Sequence, residues 1–172
     1  MTEGNYIHHK EKGKHIAGQM TLTELASQMR NSSKAIERLN IKQYNWWNEG
    51  LHGVARAGVA TVFPQAICMA STFDEKAVKK CADIIATEVR AKFNESQKNE
   101  DYSIYKGLTL WSPNINIFRD PRWGRGHETY GEDPYLTSIL GCAFIEGIQG
   151  DDEKYMKASA SVSYTHLTLP TT

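Results

Sequence analysis

The 172-residue sequence has few cysteines, no excess of either charge and no long apolar run. Its cysteines, Cys68, Cys81 and Cys142, lack Cys-x-x-Cys spacing, so neither a zinc site nor a disulfide framework is predicted. Free thiols are typical of a reducing compartment, and we expect a cytoplasmic protein. Lysine plus arginine and aspartate plus glutamate each number 20, giving zero net charge. Without a basic stripe to neutralise phosphates, we expect binding of neither nucleic acid nor a membrane.

Residues 1–19 form a polar segment that we interpret as a mobile tail. It has no apolar core, so it predicts neither a secretory signal nor a membrane anchor. The segment contains His8, His9 and His15. Histidines in a polar tail are more often solvated than metal-bound, and no metal site is predicted.

Three segments carry the signals of helices. Thr21-Leu-Thr-Glu24 is a capping-box pattern that predicts a helix to about Arg30. Asp74 is a predicted cap, and Pro134 suits the first position of a third helix that Gly150 would end. Apolar residues follow these signals at helical spacing: Leu22, Leu25 and Met29; Val78, Ala82, Ile85, Val89 and Phe93; Leu136, Leu140, Ala143 and Gly147.

Two short runs between the helices have strand character, namely 41–47 and 108–111, and each leads into a polar loop. Strands that alternate with helices favour an α/β fold with a parallel sheet. Loops that follow parallel strands gather at one face of the sheet, so we expect these two loops to meet there.

The loop from Trp111 to Pro134 is crowded with charged and aromatic side chains. Charged groups can form hydrogen bonds with hydroxyls, and indole faces can pack on sugar C–H groups, which suits an uncharged, polyhydroxylated ligand. The alternative is a solvated loop with internal ion pairs. The side chains concerned are Trp111, Arg119, Asp120, Arg122, Trp123, Arg125, Glu128 and Asp133.

Three motifs occur in order: Tyr-Asn-Trp-Trp-Asn-Glu-Gly-Leu-His-Gly-Val (44–54), Phe-Pro-Gln-Ala (63–66) and Arg-Asp-Pro-Arg-Trp-Gly-Arg-Gly-His-Glu-Thr-Tyr-Gly-Glu-Asp-Pro (119–134). Together they resemble glycoside hydrolase family 3, in its β-xylosidase and β-glucosidase branch. The resemblance implies that residues 20–160 are the N-terminal portion of an incomplete (β/α)8 TIM-like barrel. It also implies a retaining exo-β-glycosidase that acts on a small β-linked oligosaccharide or aryl glycoside without cofactor or metal. The alternative is a non-catalytic carbohydrate-binding or scaffold fragment.

The resemblance also implies roles for individual residues. Glu49 matches the acidic residue that accepts hydrogen bonds from sugar hydroxyls in the −1 subsite, Arg125 the second sugar-gripping residue, and Trp111 an aromatic that lines the sugar. Glu49 and Arg125 could also form a mutual or neighbouring salt bridge. A glutamate is longer than an aspartate and could crowd a C6 hydroxymethyl, so xylose is slightly favoured over glucose. Scaffold roles are expected for the other prominent motif residues, His52, Asp120, Trp123 and Glu128.

The chain departs from the family after Ala158. The family has a Lys-His-Phe motif near this point, whereas residues 163–172 read Ser-Tyr-Thr-His-Leu-Thr-Leu-Pro-Thr-Thr. We interpret residues 161–172 as a non-native read-through tail. In the family both catalytic carboxylates come later in the chain, so no catalytic residue is assigned here. The carboxylates of Asp120, Glu128, Glu132 and Asp133 are therefore not candidates for catalysis.

Overall fold

A computed structural model describes residues 3–161, with side chains from Ile7 onward. Of the segment interpreted as read-through, all but Ser161 lies outside the described residues. The helices are α1 (Glu3–Ala17), α2 (Leu22–Gln28), α3 (Ala66–Ala70), α4 (Glu75–Lys98) and α5 (Pro134–Gln149). The strands are β1 (Ser32–Ser33), β2 (Tyr44–Asn45), β3 (Thr109–Leu110) and β4 (Ser159–Ala160).

The three predicted helices form where the local signals place them. Thr21 and Glu24 make both bonds of the capping box at the start of α2. The Asp74 carboxylate accepts from the Ala77 amide at 3.0 Å, and Asp133 accepts from Leu136 at 2.6 Å. These short-range bonds satisfy amides that have no partner inside the helix.

Most of the N-terminal segment forms helix α1, which the sequence pattern did not predict. The side chains from Ile7 to His15 are exposed, and an ion pair of 2.7 Å joins Glu11 to Lys14. A helix that is polar on every side has no apolar stripe in its sequence, so the pattern gave no signal of it. Within residues 3–161 there is no cluster of histidine, cysteine or acidic side chains that could hold a metal ion.

The core centres on the contact between α4 and α5 and extends to α3 and β3. Val78, Ala82, Ile85 and Val89 of the predicted stripe are buried, whereas Phe93 is half-buried and packs beside the Arg90 guanidinium. From α5 the core receives Leu140, Ala143, Phe144 and Ile148. The two helices approach closely at Gly147, where an added Cβ would lie 2.4 Å from a backbone carbonyl of α4. Within the described part of the chain, no helix is long and apolar enough to cross a bilayer.

The strands are shorter than the sequence pattern predicts. β3 pairs in parallel with β4, and a parallel bridge joins Leu110 to Asn48 on its other side. The run 41–47 contributes only β2, which pairs antiparallel with β1. Beyond β2, the Asn48 side chain takes over the strand-to-strand bonds, accepting from the Gly107 amide at 2.7 Å and donating to the Thr109 carbonyl at 3.1 Å. The fold is α/β, as predicted.

Candidate functional site

A cleft of about 490 Å³ lies where the two predicted loops meet. One wall is the turn that follows Asn48, and the other is the loop that follows β3. All three predicted sugar-binding residues face this cleft. Its lining consists of Glu49, Gly50, Leu51, His52, Gly53, Ala55, Arg56, Val62, Gln65, Trp111, Asn114, Arg125 and Glu128.

Adjacent strand ends bring Glu49 and Trp111 together. The Trp111 amide donates to the Asn48 carbonyl at 2.8 Å, so the residues after Asn48 and after Leu110 leave the sheet side by side. Gly50 permits this approach, because an added Cβ would lie 2.7 Å from a methyl carbon of Leu110. Loops at the carboxyl ends of parallel strands commonly carry ligand sites.

Glu49 is paired with Arg56, seven residues further along the same turn. The Arg56 Nε donates to Glu49 Oε2 at 3.1 Å. This bond, together with the negative charge of Glu49, raises the pKa of the Arg56 guanidinium. The side chains are 45% and 65% exposed for Glu49 and Arg56, so the carboxylate remains accessible from the cleft.

Arg125 is paired with Glu128. Its Nε lies 3.0 and 2.9 Å from the Oε1 and Oε2 atoms of Glu128, and Oε2 also accepts from the Asn114 side-chain amide at 3.4 Å. The turn that carries both residues packs tightly, since an added Cβ at Gly126 would lie 2.3 Å from the Phe118 ring. The sequence left open whether Glu49 and Arg125 pair with each other or with neighbouring residues. In the structure each pairs with a neighbour, Glu49 with Arg56 and Arg125 with Glu128.

Trp111 stacks on Trp47, with ring centroids 4.6 Å apart and an interplanar angle of 30°. Trp111 lies in the loop that follows β3, and Trp47 directly precedes Asn48, after which the other wall begins. Stacking covers one face of Trp111 and fixes its orientation, which leaves less rotamer freedom to be lost when a ligand binds.

His52 joins the first wall to the Phe-Pro-Gln-Ala motif. Its Nδ1 lies 3.0 Å from the Phe63 carbonyl, and its Nε2 lies 3.2 Å from the Gln65 amide nitrogen. A carbonyl only accepts, so Nδ1 carries the proton and Nε2 accepts from Gln65. His52 thus ties its own turn to the Phe-Pro-Gln-Ala segment.

The outer part of the long loop contacts itself rather than the cleft. Arg122 is bonded to Asp120 and is 89% exposed, and the arginine holds the pKa of the Asp120 carboxyl below its usual range. Trp123 packs edge-on against Phe118, and Asp133 caps α5. For these residues the alternative of internal ion pairs and scaffold contacts describes what the structure contains.

A family model described as the glycosyl hydrolase family 3 N-terminal domain matches residues 5–165. The chain belongs to glycosyl hydrolase family 3. Over 159 residues it is 45% identical to a xylan 1,4-beta-xylosidase of Xylanibacter ruminicola. The aligned region covers 90% of this chain and 18% of that protein. The chain is 42% identical over 151 residues to the probable beta-D-xylosidase 7 of Arabidopsis thaliana, covering 82% of this chain and 19% of the relative. The chain thus spans about a fifth of the length of these relatives.

Solved structures of family 3 proteins share the fold. An exo-beta-xylosidase in complex with a xylobiose aziridine activity-based probe is 34% identical, with a TM-score of 0.75, and covers 88% of this chain and 20% of the other. A beta-glucosidase of Bifidobacterium adolescentis is 25% identical, with a TM-score of 0.63. The match covers 77% of this chain and 18% of the glucosidase chain.

Several residues in or beside the cleft were not predicted to have a role there. Arg56 lies in an alanine-rich stretch and gave no signal apart from its nearness to Glu49 in the sequence. Trp47 and Gln65 belong to the quoted motifs, but nothing in the motifs indicates a stacking partner for Trp111 or a bond to His52. Asn114, only 2% exposed, lies in a stretch that carries no pattern.

Proposed function

We propose that this chain is part of a retaining exo-β-glycosidase that removes a terminal xylose or glucose from small β-linked oligosaccharides or aryl glycosides. It supplies part of the −1 sugar subsite and the N-terminal portion of a (β/α)8 TIM-like barrel. The convergence of Glu49, Trp111 and Arg125 on one cleft carries this proposal. A volume of about 490 Å³ suits one sugar ring and its surroundings, since small-molecule sites range from about 300 to 1,000 Å³.

Each of the three side chains has a separate part in the proposed subsite. The Glu49 carboxylate accepts hydrogen bonds from sugar hydroxyls, and the Arg125 guanidinium donates to them. The Trp111 indole, fixed by its stacking on Trp47, forms an apolar wall for the sugar ring. An uncharged ligand fits this set, because the charges of Glu49 and Arg125 are already balanced by Arg56 and Glu128.

The chemical step belongs to residues outside the described part of the chain. Retaining glycosidases need two carboxyl groups about 5 to 5.5 Å apart, one as nucleophile and one as acid and base. Within the described residues, Glu128 is bonded to Arg125 and Asp133 caps α5, which are structural uses of a carboxylate. We therefore assign substrate binding to this chain and assign it neither catalytic carboxyl.

Turnover of aryl β-glycosides by the full-length gene product tests the proposal. We expect hydrolysis of an aryl β-xyloside and an aryl β-glucoside with retention of anomeric configuration. NMR spectra recorded early in the reaction identify the anomer that is released first. A full-length protein that binds xylose without hydrolysing either glycoside would instead support the non-catalytic carbohydrate-binding alternative. Inversion of configuration would contradict the retaining mechanism.

A further inference from the structure

The arginine that pairs with Glu49 has a second anchor. Its guanidinium lies 5.8 Å from the centre of the Tyr105 ring, in addition to the bond of 3.1 Å to the Glu49 carboxylate. Tyr105 itself is held by a bond of 3.1 Å from its amide to the Trp47 carbonyl. Arg56 thus lies between the carboxylate and an aromatic ring on a third segment of the chain.

The backbone that carries Arg56 is fastened to α4. Lys92 donates from Nζ to the carbonyls of Ala57 at 3.2 Å and Val59 at 2.7 Å. One turn earlier on the helix, Glu88 accepts from the amide of Thr61 at 3.0 Å and from its hydroxyl at 2.6 Å. Two side chains of α4 therefore fasten the segment that directly follows Arg56, from Ala57 to Thr61.

A glutamate side chain that is 45% exposed is only partly restrained by packing. A mobile carboxylate loses rotamer entropy when it binds a ligand, whereas one already held in place does not. The Arg56 bond takes one of the two Glu49 oxygens and leaves the other for a ligand. We propose that Arg56 is a positioning residue that holds the Glu49 carboxylate in its sugar-binding orientation, on a segment that Glu88 and Lys92 fasten to α4.

This inference rests on the proposed function, and a double-mutant cycle in the full-length protein tests it. The variants are Arg56→Ala, Glu49→Ala and both together, with kcat and KM measured on an aryl β-xyloside. We expect Arg56→Ala to lower kcat/KM about tenfold beside a native Glu49, mainly through KM, and less than about twofold beside Glu49→Ala. Arg56→Lys keeps the positive charge and is expected to recover part of the loss.

Salt provides a readout that a general loss of structure would not move. The Glu49–Arg56 pair is partly exposed, and the screening length falls from about 10 Å at 0.1 M salt to about 3 Å at 1 M. The ratio of kcat/KM between the native protein and Arg56→Ala should therefore shrink as salt rises. Lys98→Ala is the matched control, because it removes an exposed salt bridge of 3.2 Å between Lys98 and Glu95 on α4. This variant should change neither kcat/KM nor its dependence on salt.

The outcomes separate the two proposals. The native protein could be active while Arg56→Ala lowers kcat/KM by the same factor beside native Glu49 and beside Glu49→Ala. That result would overturn the positioning role, because Arg56 would then act independently of Glu49. Unchanged kinetics in Arg56→Ala would overturn it as well. A native full-length protein with no glycosidase activity would overturn the proposed function, and the inference with it.

Discussion

Arg125 is held in the cleft by an ion pair and by the packing of the turn that carries it. Its Nε is bonded to both oxygens of Glu128, and the turn that carries it is packed under Phe118. A guanidinium held in this way is available to a ligand without a large loss of side-chain entropy.

Removal of this side chain is expected to weaken substrate binding and catalysis. In the full-length protein, Arg125→Ala should raise KM and lower kcat, with a loss of about 1.5 to 3 kcal/mol in transition-state stabilisation, because a charged hydrogen bond is lost. Steady-state kinetics on an aryl β-xyloside measure this. Arg122→Ala is the control, since Arg122 is 89% exposed on the outer loop. Equal kinetics for Arg125→Ala and the native protein would remove Arg125 from the site.

The length of the Glu49 side chain bears on the choice of sugar. If the glutamate crowds the C6 hydroxymethyl of glucose, Glu49→Asp should shift the ratio of kcat/KM toward glucosides relative to xylosides. Shortening the side chain by one methylene also lengthens the path to Arg56, so a fall in activity on both sugars is expected. A ratio that stays constant would show that crowding by Glu49 does not set the preference, and a native preference for glucosides would contradict the hypothesis directly.

At the scale of elements, the contact between α4 and α5 depends on Gly147. An added Cβ there would lie 2.4 Å from the Lys79 carbonyl and 2.6 Å from Cβ of Ala82. Backbone atoms cannot move aside without separating the helices, so Gly147→Ala should destabilise the fold by about 1 to 3 kcal/mol.

Thermal unfolding of the full-length protein measures this effect. Gly124→Ala is the matched control, because no atom lies within 4 Å of the position of its added Cβ. We expect a lower Tm for Gly147→Ala and no comparable loss for Gly124→Ala. If both variants unfold at the native temperature, the close approach of the two helices does not contribute to stability.

At the scale of the whole molecule, much apolar surface is uncovered. The exposed fractions reach 83% for Leu22, 88% for Met29, 99% for Val59 and 76% for Phe73. The apolar positions of α2 therefore do not enter the core, although their spacing predicts an apolar face. A complete (β/α)8 barrel, of which we propose that this chain is a part, holds about 250 residues, and its strands have pairing partners on both sides.

We expect the isolated 172-residue chain to be marginally stable and prone to aggregate, because strand edges and apolar side chains remain exposed. Circular dichroism during heating and cooling, combined with size-exclusion chromatography, measures this. A cooperative and reversible unfolding transition of a monomer would contradict the expectation.

The sequence alone determined the elements whose signals are local. The capping box at Thr21, the cap at Asp74 and the Asp133-Pro134 start each act within a few residues, and the three helices begin where these signals predict. The ordered motifs identified the family, since they preserve residue types at fixed spacing. The resemblance to the family also singled out Glu49, Trp111 and Arg125, which the structure brings to one cleft.

Only the tertiary structure decided how those residues are held. Arg56 beside Glu49, Trp47 on Trp111 and Glu88 against Thr61 are contacts whose partners the local pattern does not specify. The short length of β2 also depends on tertiary contacts. Its neighbour Asn48 bonds to Gly107 and Thr109 through its side chain, which requires that these distant residues lie beside it. Local patterns fix a helix through bonds between near neighbours, whereas these contacts depend on which distant segments the fold places together.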